Sequence, residues 1–235
     1  EKTEDALIFG SGMGAISAAL FAFLEKGDHV VVQQVIYGGT YNFIVSEFEK
    51  FGIEYSFTES DKAEDFKALI KKNTKVLYIE TPSNPLLGIT DMKAISALAK
   101  EYKILTMIDN TFASPINQTP VDFGIDIMLH SATKYMGGHS DISAGVIAAS
   151  REHIEQIWKT AINLGGNLSD HTVWLLERSL KTLNLRVKEQ TKNAQEMANY
   201  LDGNANIDKV YYPGLSNHPG FEIAAKQMIG FGAML

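Results

Sequence analysis

The stretch Ile125-Asp126-Ile127-Met128-Leu129-His130-Ser131-Ala132-Thr133-Lys134-Tyr135-Met136-Gly137-Gly138-His139 decides the fold. An apolar run, interrupted by Asp126, passes into small hydroxyl residues, then a lysine, then a glycine pair. The run reads as a buried strand, and Lys134 follows its C-terminal edge. An amine there loses hydration, which lowers its pKa and frees it as a nucleophile. Ser131 and Thr133 are spaced so that both hydroxyls reach one anionic group. Most lysines are solvated surface charges. Lys134 is set apart by the residues around it.

Upstream, apolar runs end in polar loops again and again. Ala6 to Phe9 leads into Gly10-Ser11-Gly12-Met13-Gly14 and then an apolar helix, Ala15 to Leu24. Glycines before a helix start let backbone N–H groups approach an anion, and the helix dipole favours it there. A tight turn is the plain alternative. A dinucleotide fold is a rival that fails on two counts. Ala15 stands where G-x-G-x-x-G needs its third glycine, and the strand Val30–Val32 runs into Gln33-Gln34 where an acid is expected. Tyr37-Gly38-Gly39-Thr40 precedes the helix Tyr41–Phe51, which Gly52 stops. Tyr37 either lies flat on an aromatic cofactor or packs its own loop.

Strand Ile53–Phe57, helix Ala63–Lys72 and strand Val76–Ile79 lead to Glu80-Thr81-Pro82-Ser83-Asn84-Pro85. The prolines stiffen that loop. Asn84 either bonds a phenolic oxygen of a cofactor or shapes the turn. Helix Asp91–Tyr102 is core-forming, and strand Ile104–Ile108 ends in Asp109-Asn110-Thr111. An acid at the end of a buried strand is costly unless it is paired. A protonated ring nitrogen would pair it and become an electron sink; a cap or turn role is the ordinary alternative.

Alternating strands and helices with short connections predict a mostly parallel, doubly wound α/β sheet with ligands beyond the strand C-termini. Ser11, Tyr37, Asn84, Asp109, Ser131, Thr133 and Lys134 all follow predicted strands and so share one edge. An amine, donors for a phosphate and an acid for a ring nitrogen are together what pyridoxal 5'-phosphate requires. Downstream, the pattern predicts a strand over Ile142–Ala149, a helix over Glu152–Ile162 and a long helix from Asp170, its candidate cap, toward Tyr200. A strand over Ile207–Tyr212 and a helix over Phe221–Met228 follow. The long helix exceeds the globular norm, so a bend or a passage between domains is expected.

Composition excludes other classes. The 235 residues carry 21 Lys+Arg against 28 Asp+Glu, a net charge of −7. An acidic chain without a basic run is a poor fit to nucleic acid or an anionic membrane. Any phosphate must therefore be held by local donors. With no cysteine there is no disulfide and no thiolate site, which fits a cytoplasmic, reducing setting. No apolar run reaches membrane-spanning length and no signal peptide is visible. The histidines lack metal-site spacing, so no metal is expected. Further residues are expected before Glu1 and after Leu235.

Together these residues resemble the pyridoxal-phosphate enzymes of cysteine and methionine metabolism, the trans-sulfuration family of cystathionine γ-synthase, cystathionine γ-lyase, methionine γ-lyase and O-acetylhomoserine sulfhydrylase. The resemblance rests on Ser11-Gly12-Met13-Gly14-Ala15, Tyr37-Gly38-Gly39-Thr40, Thr81-Pro82-Ser83-Asn84-Pro85 and Asp109-Asn110-Thr111-Phe112. It continues through Ser131-Ala132-Thr133-Lys134-Tyr135, Gly138-His139-Ser140-Asp141, Lys181-Thr182-Leu183-Asn184-Leu185-Arg186 and Tyr212-Pro213-Gly214-Leu215. It implies the aspartate aminotransferase-like fold (fold type I), with residues 1–185 as the cofactor-binding large domain. Residues 186–235 would form the helical connection and the start of a smaller C-terminal α+β domain. It implies that Lys134 holds the cofactor as a Schiff base and shuttles protons, Asp109 pairs with the ring nitrogen and Tyr37 stacks on the ring. Ser11, the Gly12 and Met13 amides and the Ser131 and Thr133 hydroxyls would hold the phosphate, and Asn84 the ring hydroxyl. A γ-elimination or γ-replacement on an amino-acid substrate follows, in a homotetramer of active dimers that share sites.

The same resemblance places a phosphate-binding Tyr-x-Arg segment before Glu1 and a carboxylate-binding arginine after Leu235. The fragment 1–235 alone is therefore expected to be inactive. Gly39 stands where methionine γ-lyases of the family usually carry cysteine. Asn42 stands where the γ-synthases and γ-lyases commonly have arginine, and Tyr41-Asn42 looks like the sulfhydrylases. Gly138-His139-Ser140-Asp141 points back to the γ-synthase or γ-lyase type, which is the expected assignment. A sulfhydrylase or methionine γ-lyase comes next, and a noncatalytic or dinucleotide-binding domain is remote.

Overall fold

A computed structural model describes all residues, 1–235. Seven strands form one sheet: β1 (Asp5–Phe9), β2 (His29–Val32), β3 (Glu54–Phe57), β4 (Thr74–Glu80), β5 (Leu105–Asp109), β6 (Ile127–Ser131) and β7 (Gly145–Ala149). Their order is β1-β7-β6-β5-β4-β2-β3. Every pairing among β2 to β6 is parallel, and β7 runs antiparallel to both β6 and β1. Strand β7 reverses because it returns from β6 through the Lys134 turn with no helix between them. A crossover would have been needed to keep it parallel.

Helices α1 (Gly12–Phe23), α2 (Gly38–Phe51) and α6 (Arg151–Leu164) cover one face. Helices α3 (Ala63–Leu69) and α4 (Met92–Tyr102) cover the other. Side chains alternate along the strands accordingly. Val30, Val32, Val76, Tyr78, Met107, Ile127 and Leu129 join the first layer; Val31, Leu77, Ile79, Ile108 and Met128 join the second. Helix α4 shows the local logic. Asp91 caps it by accepting the Ala94 amide at 3.0 Å, and Met92, Ile95, Leu98 and Ala99 face the sheet. Each fully buried side chain of this size stabilises by about 1.5–3 kcal/mol.

The long helix breaks, as its length led one to expect, into α7 (Asp170–Leu180) and α8 (Leu183–Asp202). Two details depart from expectation, and the first is that Ser169, not Asp170, caps α7. The break is stabilised by Arg186, whose guanidinium donates to Ser179 O (3.0 Å), Tyr135 O (2.8 Å) and Met136 O (3.3 Å). One cation thus closes α7 and ties it to the turn after β6. Ile207–Tyr212 forms no strand. Val210 and Tyr212 instead pack against Ala194 and Ala198 of α8, and no neighbouring strand offers the ladder that a strand requires. A short helix α5 (Ser114–Asn117), a 3-10 turn (Pro120–Phe123) and helix α9 (Phe221–Gln227) complete the chain.

Candidate active site

Strand ends β4, β5 and β6 lie side by side and in register: Glu80 opposite Asp109, and Asp109 opposite Leu129. Beyond them opens a cavity of about 1190 Å³. Ser11, Gly12, Met13, Tyr37 and Asn84 line it, as do Asp109, Ser131, Thr133 and Lys134. These nine residues lie up to 123 positions apart in the chain. The shared strand edge brings them together. Residues of α8 and the last residues of the chain, Ala233 to Leu235, complete the lining.

Each group is placed by its own element. Ser11 accepts the Gly14 amide at 3.0 Å and caps α1, which fixes its oxygen at the helix start and leaves its proton free to donate. The first amides of α1, at Gly12 and Met13, have no acceptor inside the helix and point out of its N-terminus. Close approach fixes this corner. A Cβ on Gly12 would stand 2.9 Å from Ser131 Cβ, and one on Gly145 would stand 2.1 Å from Ser11 O. Only glycine lets β7, the α1 start and the β6 end meet this tightly. The Ser131 amide is bonded by Thr111 Oγ1 at 2.7 Å, and the Thr133 hydroxyl pairs with both main-chain groups of Ala144.

Lys134 corrects one expectation. It is exposed, not buried at a strand end. Strand β6 stops at Ser131, and a turn held by Lys134 N to Ser131 O (3.1 Å) and Gly138 N to Lys134 O (2.7 Å) carries the lysine over the cavity mouth. Tyr37 also stands open, 46% exposed, with its ring against Gly39. Tyr41 and Asn42 lie on the exposed face of the α2 start, apart from the cavity lining.

Two carboxyls are buried where the cavity meets the sheet. Asp109 accepts the Thr111 amide at 3.0 Å. Burial raises its pKa, against the Thr111 hydrogen bonds and nearby His130, which lower it. Glu80, in register beside it, is pushed up to about 8, first by burial and then by the charge of Asp109. Its Oε2 accepts the Tyr37 amide (2.7 Å) and its Oε1 the Asn84 amide (2.9 Å). Sequence reasoning missed Glu80. The signal is there in the chain, because Glu80, like Asp109, is an acid that ends a buried strand.

Behind the edge runs a chain of buried amides. Gln33 bonds both main-chain groups of Glu80, at 3.0 and 2.9 Å, and takes the Thr90 hydroxyl at 3.0 Å. Gln118 donates to Thr81 O (2.8 Å) and to Asn110 Oδ1 (2.9 Å). Asn110 in turn donates to Glu1 Oε1 (2.8 Å), which also meets His130 Nε2 at 2.5 Å. Such a network fixes the strand ends in a low-dielectric setting.

A pair of buried acids, an open lysine and a helix N-terminus form a site with separate places for a cation, a carbonyl and an anion. The family model described as "Cys/Met metabolism PLP-dependent enzyme" matches residues 1–235. The chain belongs to this family. A cystathionine beta-lyase of Lactococcus lactis subsp. cremoris (strain MG1363) is 46% identical over 228 residues, 97% of this chain and 60% of that protein. A cystathionine gamma-lyase of Bacillus subtilis (strain 168) is 44% identical over 236 residues, 100% of this chain and 62% of that protein. The crystal structure of a cystathionine gamma-lyase from Lactobacillus plantarum, complexed with L-serine, superposes with a TM-score of 0.95 at 40% identity. It covers 98% of this chain and 61% of that one. The chain thus spans about 60% of the length of the curated relatives it matches, and its mixed, mostly parallel sheet with helices on both faces is the fold type I architecture.

The cavity fits the family's cofactor. The two acids at the sheet end have no basic side chain bonded to them, and a protonated ring nitrogen would supply the missing positive charge. The α1 amides and the Ser131 hydroxyl offer donors for a phosphate, and Lys134 offers an amine at the mouth.

Proposed function

We propose that the full-length protein is a pyridoxal-phosphate enzyme of sulfur amino-acid metabolism that makes or breaks a carbon–sulfur bond of a cystathionine-type substrate. The observation that carries this reading is the single cavity onto which an unpaired lysine, a buried carboxyl pair and a helix N-terminus all open. When bound, pyridoxal phosphate supplies an electron sink for charge at the substrate α-carbon. Asp109 would hold the ring nitrogen protonated, its carboxylate charge then balanced rather than buried alone. Gly12 and Met13 amides, with Ser131 and Thr133, would hold the phosphate at the α1 start, where Ser11 shapes the turn. Tyr37 would cover the ring, and Asn84 would orient its hydroxyl. Lys134 would anchor the group, and its amine would carry protons at the substrate carbons. The turn held by Arg186 keeps that amine over the mouth.

Residues 1–185 form the cofactor domain in this reading, and residues 186–235 lead into a smaller domain. Dimers that share sites, paired into a tetramer, and a cytoplasmic setting go with it. The γ-synthase or γ-lyase type remains the first assignment. A β-lyase is the second reading, favoured by the relative at 46% identity. The test is to incubate the full-length protein with cystathionine and identify the products. Cysteine, 2-oxobutyrate and ammonia mark γ-cleavage; homocysteine, pyruvate and ammonia mark β-cleavage. O-acyl-homoserine with cysteine or sulfide, and methionine, cover replacement and the remaining alternatives. No turnover of any of these sinks the proposal.

A further inference from the structure

Glu80 is the one buried carboxyl group at the cavity that the mechanism above leaves without a task. We propose that Glu80 is a positioning residue whose carboxyl group clamps the backbone of Tyr37 to the backbone of Asn84, and so sets the two loops that receive the cofactor ring. The proposal rests on the cofactor reading. It is carried by four features. The two oxygens are divided, Oε2 to the Tyr37 amide at 2.7 Å and Oε1 to the Asn84 amide at 2.9 Å. These amides belong to separate loops, one after β2 and one after β4, and no main-chain hydrogen bond joins the two loops. The main chain of Glu80 is itself held at both ends by fully buried Gln33, so the clamp hangs from a rigid support. Finally, Glu80 and Asp109 stand in register on adjacent parallel strands, both facing the cavity.

A carboxyl that only closed a turn would be replaceable by a neutral cap at lower cost, because burying a second acid beside Asp109 is unfavourable. The arrangement makes sense when the neighbouring cavity receives a positive ring. Both loops are then ordered by a group that also senses the charge of the ring site. Tyr37 and Asn84 need this help: Tyr37 is 46% exposed, and its side chain makes no bond that caps α2.

The test uses the full-length protein and needs no substrate. In the unsubstituted chain, hydrogen exchange read by mass spectrometry should show the Tyr37 and Asn84 amides exchanging roughly tenfold or more slowly than that of exposed Leu86. Free exchange at either amide overturns the clamp. In Glu80→Gln one oxygen becomes an NH2 group that faces an N–H. Protection should fall roughly tenfold in one of the two loops. Affinity for added pyridoxal phosphate, titrated by absorbance, should fall by a similar factor, with a weaker visible circular dichroism band. Glu80→Asp serves if Glu80→Gln does not fold. Its carboxyl is drawn back by one methylene and cannot reach both amides, so the same losses are expected. Unchanged protection in the variant overturns the proposal. Lost protection with unchanged affinity and dichroism also overturns it, because Glu80 would then be a structural bond alone. An unsubstituted protein that never binds pyridoxal phosphate, yet keeps both amides protected, removes the cofactor reading and the positioning role while the clamp itself stands.

Discussion

The ends of β4, β5 and β6 and the segment after α8 use polar groups in opposite ways. At the strand ends, acids and amides are buried and cross-linked, and Glu80 and Thr81 are fixed by neighbours distant in sequence. After Asp202, the chain makes turns and one short helix, and Ile207, Tyr211 and Ile229 stay exposed while Val210 and Tyr212 anchor it to α8. The first region stores free energy in a costly, preorganised site on a finished scaffold. The second is held by a few contacts and tolerates change. Function is therefore expected to be sensitive at one and insensitive at the other.

The largest effect expected is on chemistry. Lys134→Ala in the full-length protein should lower turnover by roughly 10³-fold or more, since it removes both the anchoring amine and the proton carrier. Steady-state kinetics at saturating pyridoxal phosphate reads it, and near-normal turnover would remove Lys134 from the centre of the account. Next comes the scaffold. Phe48 is fully buried in the largest cluster, and Phe48→Ala should cost about 3–5 kcal/mol. Tyr212→Phe in the second region loses a hydroxyl that donates to Gly232 O at 3.0 Å and reaches Thr191 O at 3.5 Å, about 1 kcal/mol. Urea midpoints of the two variants compare the scaffold beneath the site with the segment after α8, and equal losses would break the contrast.

Glycine replacements sharpen it. Gly145→Ala forces a Cβ to within 2.1 Å of Ser11 O, backbone against backbone. It should cost about 1–3 kcal/mol or more and weaken pyridoxal phosphate binding. Gly203→Ala meets nothing nearer than 3.8 Å, and should stay within about 0.5 kcal/mol. Cofactor titration and thermal melts on both proteins give the answer.

A pH slope probes the buried pair without any substitution. Glu80 titrates at about 8 in the folded chain against an ordinary 4.5. The folded state therefore holds a proton that the unfolded state has lost, and the stability this confers is present below pH 4.5 and lost as pH rises through 8. Buried His29, lowered to about 4 from 6.5, acts in the other direction below pH 6.5. Between pH 6.5 and 8 the urea midpoint of cofactor-free protein should fall, and Glu80→Gln should flatten the fall. A flat profile in the unsubstituted protein would count against the buried pair.

Much of the sheet was legible because strand and helix periods differ, and because Asp109, Ser131 and Lys134 sit where apolar runs stop. Their convergence followed from parallel topology alone. Glu80 was not legible as a partner of Asp109, because only cross-strand register puts them side by side. The Gln33, Gln118 and Gln227 amides are joined over long distances, and no local pattern marks them. Ile207–Tyr212 reads as a strand by composition, yet a strand exists only with a partner. Lys134 reads as desolvated from its strand, but the turn after Ser131 lifts it into the open cavity.

The central claim is that this cavity holds pyridoxal phosphate through Lys134. The direct measurement is borohydride reduction of the yellow full-length protein, followed by peptide mapping. The account predicts a visible band abolished by reduction, and a pyridoxyl group on Lys134 alone. A protein that stays colourless with added pyridoxal phosphate, or a label on another lysine, would contradict it.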